Sequence, residues 1–250
     1  MTPRRVGVLG GMGPEATVLL MQRLIAAVPA RDDADHIPLI VDMNPQVPSR
    51  IRRLIEGTGE DPGPVLASMA RRLEAAGASA LAMPCNTAHH YADDIRAATR
   101  LPFIDMVALS VARAGSLAGD GGVIGVLGSP ALQRIGLFDR ALAAAGLRPN
   151  YPDDPEGLLA AIRSIKAEGP NAGARERLLA ASRQVHEAGA AVQMIACTEF
   201  SLITEAAVPE AIVFDTLDVL VEGIVAFARP DRMAHATEHG GARNCIRPDP

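Results

Sequence analysis

The chain has 250 residues, 48% hydrophobic and 21% charged, with a formal net charge of −5. That fits one large or two small folded domains and excludes both a peptide-sized module and a disordered chain. The acidic balance and 3% aromatic content supply neither a basic footprint for phosphates nor stacking platforms for bases, and no apolar run approaches a membrane span, so nucleic acid and membrane are not expected partners.

Met1-Thr2-Pro3-Arg4-Arg5 runs straight into a strand without a secretory pattern, so the cytoplasm is the expected compartment and the three cysteines read as thiols. Strands are expected at Val6–Leu9, Pro38–Val41, Ala78–Met83, Pro102–Ile104, Gly122–Leu127, Ala190–Ile195 and Ala211–Phe214, each followed by turn or capping residues and a helical pattern. Pro14, Pro130 and Pro170 suit first helical turns, and Gly77, Gly146 and Gly189 suit helix ends. Gly57–Pro64 is a breaker-rich loop, and beyond Arg229 the pattern dissolves into a tail, containing Cys245, that is expected to be disordered. Alternating strands and helices give an α/β class with parallel sheets.

An internal echo refines this. Val6-Gly-Val-Leu-Gly10 recurs as Ile124-Gly-Val-Leu-Gly128, and Glu74-Ala-Ala-Gly77 leads to Cys85 as Glu187-Ala-Gly189 leads to Cys197, with the same glycine-to-cysteine gap of 8. Phe103-Ile-Asp105 is echoed by Val213-Phe214-Asp215. Repeated order predicts two pseudo-symmetric domains, each a small parallel sheet flanked by helices, with a cleft between them. The expected division is residues 1–104 plus 216–228 for the first, 105–215 for the second and 229–250 for the tail.

Both cysteines fall at the carboxyl end of a strand, the ligand-binding end of open α/β sheets, and just before an expected helix whose free amides would favour a thiolate. Two matched thiols facing one cleft suit paired acid–base chemistry: one takes a proton from a substrate carbon while the other delivers one to the opposite face, inverting the centre. The amides after each cysteine are candidate donors to a carboxylate that must absorb carbanion charge.

The segments Gly10-Gly11-Met12-Gly13-Pro14-Glu15-Ala16-Thr17, Asn44-Pro45-Gln46-Val47-Pro48-Ser49-Arg50, Met83-Pro84-Cys85-Asn86-Thr87-Ala88-His89 and Ala196-Cys197-Thr198-Glu199 together resemble the cofactor-independent aspartate/glutamate racemase family, and its aspartate racemases most. The resemblance spans about Val6 to Ala228. It implies Cys85 and Cys197 as the two acid/base residues, Arg50 and Lys166 on the substrate's side-chain carboxylate, and Asn86, Thr87 and Thr198 on its α-carboxylate. Met12, Ser129 and Glu199 complete the expected substrate site. No cofactor and no metal are implied, the partner is a small amino acid, and a homodimer is expected. The residues themselves agree on an acidic side chain, since an Arg fork matches a carboxylate and Lys166, the sole lysine, adds a point charge. Where relatives carry hydroxyl residues after the second Gly-Val-Leu-Gly, only Ser129 keeps one, which bears on substrate preference.

Other readings stay open. Gly11-Met-Gly13-Pro-Glu-Ala16 with Asp42 fits a dinucleotide fingerprint. Cys85, His89 and Cys197 offer three zinc ligands, and Lys166 a Schiff-base lysine. A racemase of broad amino-acid specificity and a non-catalytic, two-lobed amino-acid-binding protein are the remaining alternatives.

Overall fold

The computed structural model describes residues 2–230. In the first half β1 (Val6–Gly10), α1 (Pro14–Ala27), β2 (Leu39–Met43), α2 (Gly63–Ala75), β3 (Ala80–Ala82), α3 (Ala92–Ala98) and β4 (Phe103–Ile104) follow one another. Then come α4 (Met106–Ala118), β5 (Val123–Gly128), α5 (Pro130–Arg134), α6 (Leu137–Ala144), β6 (Arg148–Asn150), α7 (Pro155–Glu168), α8 (Ala172–Glu187), β7 (Val192–Ala196), β8 (Ile212–Asp215) and α9 (Thr216–Ala228). The strands form two parallel four-stranded sheets of matching order, β2-β1-β3-β4 and β6-β5-β7-β8. The echoed segments thus occupy equivalent places: β1 matches β5, β3 matches β7 and β4 matches β8.

Alternation along each strand sorts the core into two faces. Val6, Val8 and Ala82 pack with Leu20 and Leu24 of α1 and Leu217, Leu220 and Ile224 of α9, whereas Leu9 and Leu81 pack with Leu66, Met69 and Leu73 of α2. The second sheet repeats the scheme, with Ile124, Val126 and Met194 facing α4 and α6, and Leu127 and Ile195 facing α7 and α8. The repeated glycines are a packing requirement. A Cβ on Gly7 would come within 2.9 Å of Ala78 and 3.1 Å of Leu73, and one on Gly125 within 2.9 Å of Val185, so each lets a helix lie close on its strand. The chain crosses between halves at α4 and α9, which pack against each other, and α9, entered from a second-half strand, buries its apolar side on the first sheet.

Some expectations shift. β6 was not expected: Arg148-Pro149-Asn150 lacks the apolar signature, yet it forms an edge strand beside β5, where proline is tolerated. The other strands sit one or two residues from their expected bounds. Pro170 lies before α8 rather than in its first turn, because Asn171 caps that helix by accepting from the Ala174 amide at 3.0 Å. Pro14 and Pro130 do open their helices, and Gly77, Gly146 and Gly189 have positive φ after theirs. The tail expectation, Cys245 included, lies outside the described residues from 231 onward. No helix among the described residues is long and apolar enough to cross a membrane.

Candidate active site

The carboxyl ends of β1, β3, β5 and β7 open onto one cavity of about 280 Å3 between the halves. Cys85, 8% exposed, and Cys197, 6% exposed, both line it. With them stand Met12, Thr87, Ser129, Arg50, Lys166 and Glu199. Asn86 and Thr198 do not line the cavity; each is buried beside its cysteine. Sequence reasoning missed Ile162, Val47 and Ile51, which supply apolar wall. Ile162 was within reach of the pattern, since it lies one helical turn before Lys166 on α7.

The segments after the cysteines differ from expectation. After Cys197 the chain makes only short 3-10 turns, Phe200–Leu202 and Thr204–Ala206, because Ile203 at φ −140° leaves the helical region. After Cys85 a 3-10 segment, Thr87–Tyr91, precedes α3. Neither sulfur therefore stands at the N-terminus of an α-helix, and the local environment of each must come from side chains and single amides.

Around Cys197 that environment is specific. Its Sγ donates to Glu199 Oε2 at 2.9 Å, and Glu199 Oε1 accepts from Lys166 Nζ. Burial first, and then the Glu199 carboxylate, push the Cys197 thiol well above its usual range. Burial alone would lower the Lys166 ammonium, but the Glu199 carboxylate outweighs it and holds the group charged. Gly13 borders this corner: a Cβ there would sit in ordinary van der Waals contact with Lys166 Nζ at 3.4 Å and Glu199 Oε1 at 3.5 Å.

The Cys85 loop is fixed by His89. Met106 N–H can only donate, so the Nε2 it reaches at 3.2 Å is the acceptor, and Nδ1 donates to the Cys85 carbonyl at 2.8 Å. Burial depresses the imidazole's pKa, in keeping with this neutral tautomer. Both ring nitrogens are spent, so His89 is no metal ligand in this arrangement, and the described residues contain no group of three or more metal-binding side chains. Asp42 is likewise engaged, by Arg72 at 2.6 Å. Gly11, at φ +89°, lies so close to Asn44 that a Cβ would fall 2.4 Å from its carbonyl carbon. The glycine-rich turn is therefore shaped by its own chain.

Arg50 is held by the loop that carries it, Nη1 donating to the carbonyls of Val47 at 3.2 Å and Pro48 at 2.9 Å. The lip continues into a π-helical segment, Arg52–Glu56. Two second-half arginines fasten it: Arg134 donates to Ile55 O at 2.8 Å, and Arg163 pairs with Glu56 at 3.0 Å. Ser129 caps α5 through its Oγ, 3.3 Å from the Ala131 amide, while lining the cavity.

The sequence profile described as Asp/Glu/Hydantoin racemase matches residues 9–224. Among solved structures, an aspartate racemase of Picrophilus torridus superimposes with a TM-score of 0.80 at 24% identity, covering 90% of this chain and 94% of that one. An aspartate racemase homologue of Pyrococcus horikoshii gives 0.69 at 22% identity over 90% and 99% of the respective chains. A glutamate racemase of Francisella tularensis, in complex with D-glutamate, gives 0.62 at 17% identity over 98% and 86%. At these identities the likeness is one of fold.

Proposed function

Because this chain belongs to the Asp/Glu/Hydantoin racemase family, we propose that it racemises an acidic amino acid, aspartate foremost and glutamate next, with Cys85 and Cys197 as its acid and base and no cofactor. The observation that carries the reading is the placement of both thiols on one cavity together with Arg50 and Lys166. The named activity of the aspartate racemase of similar fold supports the substrate.

The proposed chemistry runs as follows. Substrate lies between the sulfurs with its side-chain carboxylate on Arg50 and Lys166; the ammonium gives one donor to Glu199 and keeps others for the ligand. Cys197, whose thiol resists ionisation, rests as the acid. Cys85 as thiolate takes the Cα proton and becomes a thiol, and Cys197 delivers its own proton to the other face and becomes the thiolate. The enzyme is then poised for the reverse direction. Thiolate at Cys197 is opposed by Glu199 and favoured by Lys166, so the ion pair sets how readily that state forms. The α-carboxylate takes up charge as the proton leaves, and the cavity-lining Thr87 and Ser129 are its donors, with Thr198, buried beside Cys197, contributing through its backbone amide. Asn86 belongs to the same proposed group through the backbone, its side-chain amide being engaged elsewhere. A cytoplasmic homodimer is part of this proposal, and light scattering that reports a single chain would remove the dimer.

The test is a chiral assay with each enantiomer of aspartate and glutamate in D2O. Wild type should invert aspartate with solvent deuterium at Cα. Cys85→Ala and Cys197→Ala should each lose inversion by roughly a thousandfold or more while keeping the fold by circular dichroism. Binding without exchange at any pH would instead favour an amino-acid-binding protein.

A further inference from the structure

Two buried groups outside the cavity join the cysteine loops. Asn86 Nδ2 donates to Thr216 Oγ1 at 2.9 Å, and Thr216 Oγ1 donates to the Ile195 carbonyl at 2.9 Å. Asn86 follows Cys85 directly, and Ile195 precedes Cys197 by two residues on β7. The direction of the chain of bonds is fixed. A carbonyl can only accept, so the Thr216 proton points to Ile195 and its lone pair receives the Asn86 amide. Thr216 is fully buried and Asn86 is 2% exposed, so water does not substitute for either bond. Thr216 is also the first residue of α9, the helix by which the chain returns to the first sheet. Its counterpart at the start of the other crossover helix, Met106, reaches only the Cys85 loop, through its amide and His89.

We infer that Thr216 is a positioning residue that sets the separation of the two catalytic sulfurs by tying the Cys85 loop to the strand that carries Cys197. The inference rests on the proposed two-cysteine reaction. Proton removal needs one sulfur near Cα, whereas inversion needs both at matched distances on opposite faces. If the spacing is disturbed, the first cysteine's thiol returns its own proton, now exchanged with solvent, to the face it came from. Exchange without inversion is the signature of that failure, and a general loss of folded enzyme would not produce it.

The experiment compares wild type, Thr216→Val, Thr216→Ser and Thr216→Ala, full chain, with L- and D-aspartate in D2O. Cα deuterium is followed in the recovered starting enantiomer and in the inverted product. Thr216→Val should slow inversion about tenfold or more in both directions while exchange in the starting enantiomer falls much less, raising the exchange-to-inversion ratio. Thr216→Ser should restore the wild-type ratio. Equal loss of exchange and inversion in Thr216→Val, wild-type behaviour of that variant, or a Ser variant no better than Val would each overturn the inference. If Thr216→Val does not fold, Thr216→Ala against Thr216→Ser carries the same comparison, since both lack the methyl group and only one keeps the hydroxyl. A wild-type protein that neither exchanges nor inverts would remove the racemase reading and this inference with it. An active wild type with an unchanged ratio in the variants would remove this inference alone.

Discussion

Glu199 holds two neighbours at once, and its single charge has opposite effects on them. It favours the Lys166 ammonium and disfavours a Cys197 thiolate. Glu199→Gln keeps the shape and removes the charge, so the pH midpoint of Cys197 alkylation should fall; an unchanged midpoint would show that burial alone governs the thiol, and a higher one that Glu199 favours the thiolate. His89 gives a second pH-dependent expectation. Burial depresses its folded pKa below the usual 6.5, with Asp105 opposing and Arg96 assisting. The unfolded chain therefore binds this proton first. The histidine's contribution is complete above about pH 6.5 and is lost as pH falls from there through the folded value, at no more than about 1.4 kcal/mol per pH unit. Burial would raise Asp105, but His89, the Ala108 amide and Arg96 hold it below its usual value, so its own loss comes at more acid pH. In urea titrations between pH 6.5 and 5, His89→Gln should show a flatter decline than wild type. A parallel decline would remove His89 as the titrating group.

Each crossover helix begins with an aspartate cap inside an ion pair. Asp105 accepts from the Val107 and Ala108 amides and from Arg96 at 2.5 Å, and Asp215 from the Leu217 amide, Ser201 Oγ and Arg23 at 2.5 Å. Arg23 lies on α1 and also donates to the Ser201 carbonyl, so it joins the two halves. Burial raises the Asp215 carboxyl even with Arg23 opposing it. Arg23→Ala should therefore cost about 3 kcal/mol at neutral pH. The deficit should shrink as pH falls, because a carboxyl with a raised folded pKa favours the fold only while protonated. Chemical denaturation at pH 7 and pH 5 checks both, and a deficit independent of pH would mean that Asp215 is not the group left uncompensated. These caps were legible in the sequence as the echo of Phe103-Ile-Asp105 in Val213-Phe214-Asp215, because cap and strand recur together. β6 was not, since edge pairing asks little of side chains and Arg148-Pro149-Asn150 carries no periodic signal. The sequence likewise marked both cysteines, but not the 3-10 turns after them; after Cys197 one backbone torsion at Ile203 decides where a helical pattern stops. The Asn86–Thr216 bond was out of reach, as it joins residues 130 positions apart.

Across the whole molecule the halves share more than a cleft. We propose the division into residues 1–104 with 216–228 and residues 105–215 as its two bodies. Leu220 of α9 is fully buried in the core formed with Val6, Val8 and Leu20. Leu220→Ala should remove about 2–5 kcal/mol. Because α9 hangs from β8, the loss should shift one cooperative urea transition rather than split it; two separated transitions would show that the bodies melt independently. The same helix brings the chain back to its own start. Arg4 N donates to Ala228 O at 3.0 Å, and the Arg4 guanidinium lies 4.2 Å from the centre of the Phe227 ring. Arg4 and Ala228 thus make a seam beside β1. A chain opened at Gly119–Gly122 and joined across that seam would place the second half ahead of the first and still bring together every wall of the pocket.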